Sequence, residues 1–140
     1  MSRVINPESA SKLRTQLVQS VSLALRQLVQ STELDDEARD LAAFIAIALD
    51  EIYSSIDSSV SAWEKRGYWI KADRYRMEWS WTEQYSSEMR AAVLAGDWMG
   101  IGTAAMKVAN KLSSVTVAQR NRLGTPWVGA WERMQKTGGK

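Results

Sequence analysis

The side chains in this sequence that could carry acid–base or metal chemistry are nearly all carboxylates. Asp50, Asp57 and Glu64 recur at seven-residue steps, so they share one face if the segment is a helix. Helical bundles hold divalent ions on inward carboxylates, but that arrangement uses Glu-x-x-His pairs on facing helices. The chain has no His and no Cys. Their absence removes the commonest general acid–base group, the commonest transition-metal ligand, thiolate nucleophiles and disulfides. Glu78, Glu83 and Glu88 are five apart and do not stack on one face. The sequence is therefore read as non-enzymatic, with no catalytic residue, no metal site and no cofactor.

The aromatic and basic residues form a stronger group. Seven Trp occur in 140 residues. Trp63 and Trp69 lie near Lys65, Arg66 and Lys71, and Trp79 lies near Arg74 and Arg76. Trp127 and Trp131 lie near Arg122, Arg133 and Lys136. Trp and Arg stack through the ring quadrupole and the planar guanidinium, and both anchor protein interfaces. Trp69, Arg74, Arg76, Trp81, Trp127 and Trp131 are the candidate interface anchors. The competing functional reading is a nucleic-acid-binding subunit, in which bases stack on exposed rings beside a basic track. That track would comprise Lys65, Arg66, Lys71, Arg74, Arg120, Arg122 and Arg133. A third reading needs no ligand at all: the rings form core and the Arg stems pack over them. Against nucleic acid, every basic run contains an acid (Glu64, Asp73, Glu78 or Glu132), and no known nucleic-acid-binding pattern is present. In size and helical class the chain resembles the small all-helical subunits of CRISPR effector complexes, which line a nucleic-acid groove; the resemblance extends to size and helical class only.

These residues must be positioned by helices. Ala38, Leu41, Ala42, Ile45, Leu49, Ile52, Ile56, Val60 and Trp63 recur at three- and four-residue steps, one face of a long helix near 35–66. Leu41 to Leu49 has no polar side chain, so this helix should be covered on several sides. Nine residues are too few to span a bilayer, which takes about 20. Gly67 ends the helix after Lys65 and Arg66, cations suited to the last turn. A third helix near 68–95 follows. It carries two apolar stripes, one with Ala72, Tyr75, Trp79 and Val93, the other with Ile70, Met77, Trp81, Tyr85 and Ala92. Two stripes imply two neighbours, or one face kept for a partner.

Asn6-Pro7-Glu8 reads as a helix start, and Leu13, Leu17, Val21, Ala24 and Leu28 mark the core face of a helix near 7–30. Its Ser- and Gln-rich polar face argues against membrane binding. Thr32 or Asp35 caps the second helix. Gly96 closes the third, Asp97 opens a fourth near 98–114, and Gly100 and Gly102 permit close helix approach. The glycines form no phosphate loop, because no strand precedes them and no Gly-Lys-Ser/Thr follows. Pro126 opens a short helix near 126–136. The expected fold is all-α, a single-domain antiparallel four-helix bundle with a short C-terminal helical appendage.

The net charge of +2 is unevenly spread: Glu33 to Glu64 holds nine acids against Arg39 alone. An acidic central helix should pack among basic neighbours. Hydrophobic residues at 45% and charged residues at 24% are globular values. No apolar leader opens the chain, so it is read as cytoplasmic. The expected function is an interaction or assembly module, a subunit of a homo- or hetero-oligomer with a protein partner and no membrane.

Overall fold

The structure is a computed structural model that describes residues 7–113 and 124–138. It is all-helical, with no strand among the described residues. In chain order the helices are α1 (Pro7–Val29), α2 (Asp36–Lys65), α3 (Trp69–Trp79), α4 (Trp81–Ala95), α5 (Trp98–Lys111) and α6 (Ala130–Gly138).

Helix α2 lies at the centre and packs against α1, α3, α4 and α6. Its all-round apolar run explains this position. Leu41 through Ala46, with Ala48 and Leu49, are all buried, and the alanines let neighbouring helices approach closely. Asp35 caps its start by accepting from the Ala38 amide at 2.8 Å, leaving Thr32 outside that role. The expected core face of α1 is buried from Leu17 to Leu28. The main core joins α1, α2, α4, α5 and α6, and a smaller one of Ile56, Val60 and Ala72 holds α3 against α2. Full burial of each large aliphatic side chain contributes about 1.5–3 kcal/mol.

The third helix is not continuous. It breaks at Ser80, between α3 and α4. Ser80 donates to the Met77 carbonyl at 3.1 Å and Thr82 to the Trp79 carbonyl at 2.6 Å. Hydroxyls that engage helix carbonyls compete with the backbone ladder and bend it. The fourth helix ends at Lys111 rather than 114. The last begins at Ala130, because Gly129 takes a left-handed φ of +78° and turns the segment opened by Pro126. The Gly96 boundary is as expected: φ is +65°, and the Asp97 amide reaches back to the Ala92 carbonyl at 2.9 Å.

Candidate functional site

Five of the twelve aromatic residues form one intramolecular ladder. Trp63 meets Tyr75 edge-on at 5.0 Å between ring centroids; Tyr75 leads to Trp79 at 6.4 Å, Trp79 to Trp81 at 6.2 Å, and Trp81 to Tyr85 at 5.9 Å. Residues two apart on an unbroken helix face different ways, and it is across the break at Ser80 that Trp79 and Trp81 stack. Cations lie along the ladder. Lys71 sits 4.4 Å above Trp63, Lys107 lies 5.7 Å from Tyr85, and Arg14 of α1 covers Tyr75 and Trp79 at 5.5 and 5.9 Å. Arg14 is only 8% exposed and donates to Ser55 Oγ at 3.1 Å. The Trp79 indole N–H is buried without an acceptor among the described residues.

The six candidate anchors therefore separate. Trp81 is half-buried in the ladder. Arg76 is a clamp between helices: it donates to Asp57 and Glu64 of α2, each at 3.0 Å. Partial burial opposes its charge, but the two carboxylates outweigh that and hold its pKa above the ordinary value. Trp127 is 7% exposed and meets Phe44 edge-on at 6.2 Å, so it is a core residue and not a surface anchor. Trp131 is half-buried under Arg39. Trp69 and Arg74 face solvent.

The described residues of the expected basic track fall in two places. Lys65, Arg66, Lys71 and Arg74 cluster at the end of the α2–α3 hairpin and are exposed. Arg133 donates to the Pro126 and Val128 carbonyls and lies near Glu51. Glu51 and Lys65 are separated along α2 by about 20 Å at the helical rise per residue. Arg120 and Arg122 lie outside the described residues.

The carboxylates have mostly structural partners. Asp57 and Glu64 hold Arg76, and Asp40 accepts from the Gly129 and Trp131 amides at 3.1 and 3.0 Å. Among the described residues no three acidic side chains converge as a metal site. Glu51 lines a cleft of about 200 Å³ with Ala10, Leu13, Ser54, Ser55 and Ser58. Burial, countered by Arg133 and reinforced by Asp50, pushes its pKa above the ordinary value. The hydroxyls of Ser55 and Ser58 donate to the carbonyls of Ile52 and Ser54. They are thus spent on their own helix rather than aligned with Glu51 as a nucleophile–base pair.

Comparison with protein-family models, with curated proteins and with solved structures returns no match.

A further exposed apolar surface lies on α5. Helix α5 packs on α4 and meets α1 only at an edge. Between α5 and the end of α1 lies a groove of about 410 Å³, walled by Leu25, Leu28, Val29, Trp98, Met99 and Met106. Met99 is 83% exposed, and Val29 and Met106 are similarly open. Gly102 lies between the two methionines. Its φ is not positive, and a Cβ added there would meet nothing within 4 Å. Gly100 differs: a Cβ there would strike the Asp97 carboxylate that caps α5 through the Gly100 amide. The sequence signal was present in the steps Met99, Gly102 and Met106, at i, i+3 and i+7 of one helix. Ile101, Ala105 and Val108 form the opposite, buried face of the helix.

Proposed function

We propose that this chain is a non-enzymatic assembly module, an antiparallel helical bundle that pairs with a second copy of itself through α5. The observation that carries this reading is Gly102. A glycine in an exposed helix interior costs about 1 kcal/mol against alanine, and among the described residues of one copy nothing lies within 4 Å of where its Cβ would be. A neighbouring helix from outside would use the space.

Self-pairing suits the pattern. Met99 and Met106 stand either side of the hollow at Gly102, so an antiparallel α5 from a second copy, with the two-fold axis near Gly102, sets Met99 of each copy against Met106 of the other. An isologous interface has this self-complementarity. Methionine side chains are flexible and polarisable, suited to filling such a surface. Large exposed apolar patches on a folded chain mark interaction sites.

Light scattering behind a sizing column tests the proposal. The expected result is a dimer whose mass holds at high salt, and a monomer when Met99→Lys and Met106→Lys are combined. Circular dichroism should show the helices unchanged, because both side chains lie outside the core. A monomeric parent chain, or a dimer that survives the double substitution, refutes this interface.

A further inference from the structure

The end of the α2–α3 hairpin is a second uncovered surface, of different chemistry. Gly67, at a φ of +85°, turns the chain there. Tyr68, Trp69 and Ile70 follow and project to solvent; Trp69 is 61% and Ile70 72% exposed. Two turns further along the same stripe, Met77 is exposed as well. Around this apolar point stand Lys65, Arg66, Lys71 and Arg74, with Asp73 the one acid among them. No ion pair joins these four cations to a carboxylate among the described residues. Lys71 instead lies over the Trp63 ring.

We infer that this hairpin end docks on an anionic membrane surface, placing Trp69 and Ile70 at the headgroup–acyl boundary while the four cations engage lipid phosphates and carboxylates. Three features select a lipid surface. First, Ile70 and Met77 are aliphatic or thioether side chains. They gain by leaving water for acyl chains, and neither offers a ring on which a base can stack. Second, Trp and Tyr favour the membrane interface, where a ring can be immersed while its polar edge stays wet. Third, neither of the two grooves described above is lined by these residues. The surface is the end of a hairpin, which a soft, flat partner accommodates. Lys and Arg stems can lie along the apolar point while their heads stay at headgroup level.

The attachment is peripheral, since no described helix is long and apolar enough to cross a membrane. It departs from the expectation of no membrane, which rested on the polar face of α1 and on the shortness of the apolar run in α2. The relevant surface lies elsewhere, where α2 ends and α3 begins and no described residue covers Trp69 and Ile70. The inference is independent of pairing through α5.

Flotation of the full chain with vesicles tests it. Neutral phosphatidylcholine vesicles are compared with vesicles in which part of the lipid is phosphatidylserine. The expected result is binding to the second kind only, weakened by salt. Lys65→Ala with Arg66→Ala should weaken it about 25-fold, from about 1 kcal/mol or fivefold for each cation at an anionic surface. Trp69→Ser with Ile70→Ser should abolish it while the sizing-column mass and helicity stay as in the parent. Absence of flotation, equal binding to neutral vesicles, or binding that survives the Trp69 and Ile70 substitutions would overturn the inference. So would a single-stranded oligonucleotide bound through the same side chains in place of the vesicles, which would assign the hairpin end to nucleic acid.

Discussion

Replacing Gly102 with leucine separates what one copy of the chain needs from what a pair needs. Within one copy the position is exposed, its backbone is helical, and a Cβ meets nothing within 4 Å among the described residues. Leucine should therefore gain about 0.8 kcal/mol of helix propensity over glycine with no clash. For a domain of this size that corresponds to a rise of about 3 °C in melting temperature. In the proposed pair the same side chain fills the hollow that the opposing helix occupies. Overpacking typically costs about 1–3 kcal/mol, roughly a 5- to 150-fold loss of association. The assays are urea denaturation at dilutions where the parent is monomeric, and sedimentation equilibrium across a range of concentrations. The expected outcome is opposite movement: a more stable monomer and a weaker dimer, with Gly102→Ala intermediate in both. Unchanged association would show that the hollow at Gly102 is not used. A destabilised monomer would show that the glycine serves the single fold, and the inference from its empty surroundings would fail.

Two further outcomes follow from contacts that hold the helices together. Asp40→Ala removes both acceptors that tie the Gly129 and Trp131 amides to α2; it should cost about 2 kcal/mol and accelerate amide exchange at those two residues, while leaving exchange in α4 unchanged. Glu88 accepts from Lys107 at 2.7 Å. That bond, against a smaller desolvation and with help from Gln84, holds its pKa below the ordinary 4.5. A depressed carboxyl pKa means the folded state releases its proton more readily than the unfolded state. The stabilisation is therefore present above pH 4.5 and is lost as pH falls through the lower folded value. Lys107→Met should reduce the loss of stability on the acid side, read from urea midpoints measured across that range.

The extent to which the fold was legible followed from periodicity. The faces of α1 and α2 repeat at helical steps over many residues, so a few exceptions do not disturb them. The glycines at 67 and 96 were legible because left-handed caps require that residue type. The break at Ser80 was not, because Ser80 itself keeps a helical backbone and the interruption comes from where two hydroxyls point. The short last helix was misplaced for a related reason. Pro126 is a sound helix opener, but Gly129 adopts a φ that only the folded context reveals. The uncovered face of α5 was hidden by its own amphipathicity. Sequence shows which residues prefer burial, whereas exposure of Met99 and Met106 depends on how few neighbours α5 finds.

The richness in Trp and Arg has a physical explanation that also narrows where a partner can bind. Helix α3 buries one residue completely, Ala72, and so small an apolar contact cannot fix eleven residues against α2. The ladder from Trp63 to Tyr85 supplies the missing area. Arg14 extends that hold to α1, its planar guanidinium lying against two rings with a single hydroxyl as acceptor. A lysine would present neither the flat face nor the forked donors. The proximity of Trp to Arg in the sequence was thus largely a signature of helix attachment. Arg76, which grips two carboxylates of α2, adds to it. Once the ladder has taken Trp63, Tyr75, Trp79, Trp81 and Tyr85, the aromatics left at the hairpin end are Tyr68 and Trp69. They adjoin Ile70 and cations that no carboxylate neutralises among the described residues. The rings that secure α3 leave the hairpin end as a place, among the described residues, where the aromatic–basic chemistry of this sequence faces outward.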